Sequence, residues 1–285
     1  MKRLVIFLVA LFYFVVAGCN KNEKNGKANM IIDHSCLDIT SISPEWIEQA
    51  AATLHIAYGH TSHGSQLTTG MQCLADHLGS KYGWSDGGSG GLLDIRDSFV
   101  CCDLGNPDFV TWASSTEAYL PSHTDINVVI WSWCGQVSWA TEENIDQYLD
   151  LMTSLEKKFP GVTFVYMTGH TDGTGLTGQL HINNEHIRNY CRTNNKMLYD
   201  FEDIESYNPD GVYFGDKLTN DACNYDSNGD GTADANWATQ WQNTHTEGTD
   251  WFNCAAQHTQ PLNGNMKGYA AWYLWARIAG WDGSK

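Results

Sequence analysis

Residues 54–78 read LHIAYGHTSHGSQLTTGMQCLADHL, and the fold turns on how this stretch is parsed. Residues 54–58 form a short apolar run of the kind that makes a buried strand. Residues 65–78 carry apolar side chains at helical spacing, and the glycines at 59 and 64 bracket the turn between them. A strand that passes through a tight turn into a helix exposes the turn's side chains at the carboxyl edge of a parallel sheet.

The same unit recurs along the chain. Residues 127–131 (NVVIW) predict a second strand, ending in SWCGQ, and residues 141–159 a long amphipathic helix. Residues 162–167 predict a third strand running into TGHTDG, residues 183–194 a helix, and 197–201 the last strand. A helix over 44–52 has Ser43 at the N-cap and Pro44 at its first position, and 265–280 closes the chain as a helix with a glycine stop. Residues 84–91 (WSDGGSGG) read as a mobile glycine-rich loop; without a lysine they make a poor phosphate cradle. The expectation is one α/β domain over 31–285, a three-layer α/β/α sandwich on a mostly parallel sheet. The strand ends YGHTSHG, WSWCGQ and MTGHTDG should gather on one edge.

The N-terminus predicts export. Lys2 and Arg3 precede an apolar run, and Val16, Ala17 and Gly18 precede Cys19 in the manner of a lipoprotein cleavage site. Residues 1–18 are expected to be removed, Cys19 to carry the lipid, and 19–30 to act as a polar tether on a bacterial cell envelope, facing the periplasm or the exterior. The net charge of −17 becomes −19 once Lys2 and Arg3 are lost, which argues against nucleic acid and against membrane contact beyond the anchor. A neutral acylated small substrate or carbohydrate and a monomeric protein fit better. Eight cysteines remain, and Cys223 with Cys254 is the favoured disulfide because the two bracket a loop-rich insertion.

Within that insertion, Asp226, Asn228, Asp230, Thr232 and Asp234 alternate as oxygen donors with Gly231 at the sixth position, the spacing of a calcium loop. The twelfth position is Trp237, which cannot supply the usual bidentate carboxylate. The Ca²⁺ would be structural.

Three readings of the opening turn compete. His60 and His63 with His170 and Asp172 could hold a metal. Ser62, in His-x-Ser-x-Gly, could be a nucleophile served by His258. Ser62 and Ser65 could instead cap the helix, with Ser65 the better capping serine. The order of these blocks, a serine after the first strand, a glycine segment after a central strand and a histidine before the terminal helix, resembles the SGNH (GDSL-like) hydrolases over most of 54–280. His-x-Ser-x-Gly stands where that family has Gly-Asp-Ser. Gly135 and Gln136 are the nearest match to its Gly-x-Asn block, with Asn106 as a second amide, and Ala255 occupies the place of the acid in Asp-x-x-His.

The resemblance implies a serine esterase without an organic cofactor. Ser62 would attack, His258 would relay the proton, and the Ser62 amide and Gln136 would hold the oxyanion. Asp250 or Glu247 would orient His258, or a backbone carbonyl would do so in a dyad. His60, His63, Gly135, His170, Asp172 and Trp133 would line the pocket. Twelve tryptophans, several near strand ends (84, 112, 131, 133, 139 and 251), suggest an acylated carbohydrate. A non-catalytic calcium-dependent glycan-binding lipoprotein and a metal-dependent hydrolase or lyase built on the histidines are the alternatives.

Overall fold

A computed structural model describes residues 30–284; the signal segment, Cys19 and nearly all of the tether lie outside them. Seven strands make one sheet: β1 (Met30–Ile32), β2 (His55–His60), β3 (Trp84–Ser85), β4 (Leu93–Asp97), β5 (Val128–Ser132), β6 (Thr163–Met167) and β7 (Met197–Tyr199). Their order is β1-β7-β6-β5-β2-β4-β3 and every pairing is parallel. The continuous burial of β5 follows from helices covering both faces.

On one face lie α1 (Pro44–Thr53), α2 (Ser65–Leu78), the short α7 (Phe201–Ile204) and α9 (Pro261–Ala279), in one core with Ile56, Tyr58, Ile130 and Val165. On the other lie α3 (Thr111–Tyr119), the short α4 (Gln136–Trp139), α5 (Glu142–Lys158) and α6 (Gln179–Thr193), in one core with Ala57, Val129, Phe164 and Tyr166. Alternate residues of each strand therefore serve two cores, and the molecule is a three-layer α/β/α sandwich. Among the described residues no helix is long and apolar enough to cross a membrane.

The chain leaves β2 for the edge strand β3 and returns through β4 on one side, while β5, β6 and β7 extend the sheet on the other. The carboxyl ends of β2 and β5 thus flank the switch point, where α/β sheets open a crevice. Four features differ from expectation. Strands β1, β3 and β4 and helix α3 were not foreseen: the strands are two to five residues long, too short for a periodic signal, and α3 has little amphipathic contrast. The 84–91 loop supplies β3 at the sheet edge. Helices α6 and α9 begin at Gln179 and Pro261, each four residues before the expected positions 183 and 265. Cys223 and Cys254 are both free; Cys223 Sγ lies 3.3 Å from Thr259 Oγ1, and Cys254 sits against α2. The insertion they bracket is tied down by packing and by the β8 (Asn224–Tyr225) and β9 (Ala235–Asn236) hairpin instead.

Candidate active site

Strand β2 delivers the turn that carries Ser62. Gly59 is required by closeness, because a Cβ there would lie 2.5 Å from the Trp131 ring. Gly64 is required likewise: a Cβ would run into His60 and come within 3.0 Å of Ser132 Cβ. The Tyr58 hydroxyl donates to the Gly64 carbonyl at 2.8 Å and ties the turn back to the strand. Ser62 is left at φ +26°, a backbone region that non-glycine residues seldom occupy. The Ser65 hydroxyl donates to the Ser62 carbonyl at 2.6 Å, so it braces the turn rather than capping free amides.

Helix α9 delivers His258. Its Gly268 packs on Gly70 of α2, where a Cβ on Gly268 would meet the Gly70 carbonyl carbon at 2.6 Å and oxygen at 2.8 Å. Only glycines allow this approach. The strap before α9 therefore arrives over the start of α2. Ser62 Oγ and His258 Nε2 stand 2.5 Å apart across 196 residues of sequence. His258 also has positive φ, at +62°. Of the described carboxylates none is hydrogen-bonded to His258: Asp250 accepts from the Thr246 amide at 2.8 Å, and Glu247 pairs with Trp251 through its backbone.

His63, one residue after Ser62, fills the space beneath. Its ring stacks on His258 at 4.3 Å and on His170 at 3.7 Å, with interplanar angles of 18° and 9°. Nε2 lies 2.8 Å from Asp221 Oδ2, and Nδ1 lies 3.4 Å from Cys134 Sγ. Burial alone would lower the His63 pKa, but the hydrogen bonds to Asp221 and Cys134 outweigh it and raise it to about 9. The same contact draws the Cys134 thiol below its ordinary range, and Asp221 is also lowered against the opposing effect of burial. His170 is held by two carbonyls, Nε2 at 2.7 Å from Cys134 O and Nδ1 at 2.8 Å from Thr171 O.

Behind His170 lies a buried ion pair. Lys267 Nζ is 3.2 Å from Glu205 Oε2, and neither side chain reaches solvent. Glu205 Oε1 accepts from the Thr171 amide and, at 2.9 Å, from its hydroxyl. This pair couples α9 to the loop after β6. Nothing in the apolar pattern of the last helix marks Lys267 as more than an exposed cation.

The remaining predicted residues fall elsewhere. His60 is buried against Asp97, 2.7 Å away, and Asp172 accepts from the Thr174 amide at 3.0 Å. The four residues of the metal reading are therefore not brought together. His63, His170 and Asp221 do offer ligand atoms within 4.8 Å of one another. An imidazole binds a metal in its own ring plane, and two nearly parallel rings 3.7 Å apart cannot both point at one ion. One ring would have to turn and give up its present partners. Trp133 is buried with Phe109, Trp112 and Tyr148. Gly135 donates its amide to Gln136 Oε1 at 2.9 Å. Gln136 Nε2 donates to Asp103 Oδ1 at 2.9 Å and Asn106 Nδ2 to Asp103 Oδ2 at 2.6 Å, so both candidate oxyanion amides rest on one carboxylate. Asp221, Cys134 and Asp103 were missed, because they come from loops that no local spacing connects to Ser62.

The 226–234 loop closes the β8–β9 hairpin. Asp226 accepts from the amides of Asn228 (3.1 Å), Gly229 (2.7 Å) and Gly231 (2.7 Å), and Asp230 accepts from Thr232 at 2.9 Å. Asp234 holds Ser227 and Asn228. Trp237, at the twelfth position, is buried at the start of α8 (Trp237–Gln242). The hairpin begins three residues after Asp221, which places the loop where it can steady the partner of His63.

No family model and no curated protein matches the chain.

Proposed function

We propose that the protein is a serine esterase acting through a Ser62–His258 dyad, with acylated carbohydrate as the substrate class. The observation that carries it is the 2.5 Å contact between Ser62 Oγ and His258 Nε2, formed by two residues remote in sequence and both on backbone of positive φ. The resemblance to the SGNH hydrolases in block order points the same way.

In this reading the Ser62 hydroxyl gives its proton to His258 Nε2 as Oγ attacks the acyl carbonyl, and His258 returns it to the departing sugar oxygen. The Ser62 amide holds the oxyanion, and Gln136 is the second donor once its contact with Asp103 opens. The stacked His63–Asp221 pair takes the place of the missing acid by fixing the face of the His258 ring. Asp221, 2.8 Å from His63, pairs with that ring, while His258 keeps its Nε2 contact with Ser62.

Support for a glycan comes from Trp139, 49 % exposed three residues beyond Gln136. It lines a groove of about 880 Å³ with Gln179, Ile182 and Asn189. The groove lacks Ser62 and His258, so it would grip a part of a polymer away from the reacting ester. Calcium in the 226–234 loop is part of the same proposal, as a structural ion.

The test is acyl release from 4-nitrophenyl acetate and acetylated xylan, with a serine-directed phosphonate as the label. Loss of release and labelling in both Ser62→Ala and His258→Ala is expected. Release that survives both but stops with a chelator would move the reading to the metal alternative, and glycan retention without release to a binding protein.

A further inference from the structure

Cys73 and Cys254 meet at the point where the strap bearing His258 crosses α2. Cys73 lies on α2, eleven residues after Ser62, and Cys254 lies four residues before His258. Each side chain lies against the backbone that carries the other. Their surroundings fix them from several sides. Cys73 Sγ is 3.4 Å from the carbonyl of Asn253, the residue next to Cys254, and accepts from Asn265 Nδ2 at 3.5 Å. Cys254 Sγ is 3.8 Å from the carbonyl of Thr69, one helical turn before Cys73. Both residues are buried, at 6 % and 5 % exposure, so exchange with an oxidant takes place while the chain folds, before the strap closes over α2.

We propose that Cys73 and Cys254 are a modification site, a thiol pair converted to a disulfide that fastens the His258 strap to α2. Exchange with an oxidised dithiol or glutathione disulfide supplies the chemistry. The Cys73 thiolate attacks one sulfur of the oxidant and releases the other as a thiol. The Cys254 thiolate then attacks Cys73 Sγ and expels the second thiol. One S–S bond forms in the protein, one is reduced in the oxidant, and the two protein thiol protons end on the reduced oxidant. The bridge would close a loop of about 180 residues, long enough for a large effect on the unfolded chain.

This inference does not depend on the esterase reading. The pair is distinct from the Cys223–Cys254 pairing suggested by sequence, and from Cys101 and Cys102, neighbours that are both exposed.

The experiment refolds the purified, reduced full chain in a glutathione redox buffer, alkylates it in denaturant without reductant, and maps the peptides by mass spectrometry. The expected result is a Cys73–Cys254 cross-linked peptide, lost on reduction. A second readout is the melting temperature of oxidised and reduced protein. Oxidation should raise it by about 5–10 °C, and by nothing in Cys73→Ser or Cys254→Ser. Separate alkylation of both cysteines after oxidation, or a bridge from Cys254 to Cys223, overturns the proposal. The peptide map needs only the unsubstituted protein, so a variant that fails to fold does not blunt it.

Discussion

The crossing of α2 and α9 can be probed with one methyl group. In Gly268→Ala the new Cβ would stand 2.6 Å from the Gly70 carbonyl carbon, where ordinary contact begins at 3.4 Å. The helices must then separate by about 0.8 Å, or α9 must slide by a similar amount. Helix propensity favours alanine by about 1 kcal/mol, while overpacking a tight contact costs about 1–3 kcal/mol. The net destabilisation is thus only about 0–2 kcal/mol, a fall in Tm of at most about 8 °C for a domain of this size. The dyad is more sensitive than the fold. A full 0.8 Å shift of the strap opens the Ser62–His258 contact from 2.5 Å to about 3.3 Å, and a displacement of this order costs about 10²-fold in rate. The assay pairs thermal melting with the rate of phosphonate labelling at Ser62. Folded Gly268→Ala protein that labels at the original rate would refute the argument that this crossing sets the dyad.

Four other outcomes follow from the geometry. His63 has its pKa raised to about 9 from an ordinary 6.5, so its ion pair stabilises the fold fully below about pH 6.5. That contribution, on the order of 2 kcal/mol after allowance for solvent screening, is lost as pH rises through 9, and denaturant melts from pH 6 to 10 should show the decline disappearing in His63→Phe. Asp221→Asn removes the carboxylate that holds the His63 ring stacked on His258 and should slow turnover by about 10²-fold with little change in KM, whereas a matching rise in KM would place Asp221 in substrate binding instead. Lys267→Met leaves Glu205 buried without its cation and should cost about 3–5 kcal/mol by urea denaturation; the double change Lys267→Met with Glu205→Gln should recover much of it. Chelation of calcium should lower the Tm of the unsubstituted protein and leave an Asp226→Ala, Asp230→Ala variant unmoved; an unchanged Tm in the first case rules out a structural ion.

Much of this was legible in the sequence. The apolar runs at β2, β5 and β6 are buried on both sides by helices that announce themselves by period and caps, and that combination admits little besides a parallel three-layer sandwich. Ser62 and His258 were also readable as a candidate pair, each from local context: a strand-end serine between small residues, and a histidine before the last helix; the structure puts them in contact. Tertiary structure decided what surrounds them. That His63 pairs with Asp221, while neither Asp250 nor Glu247 meets His258, depends on where a hairpin docks, and that Gln136 and Asn106 both rest on Asp103 depends on how two loops meet. Cys254 lies beside Cys73 and not Cys223 because Gly70 and Gly268 let two helices nearly touch. Local sequence encodes backbone period and turn chemistry, whereas side chains from distant loops become partners only after the sheet order and the helix crossings have been set.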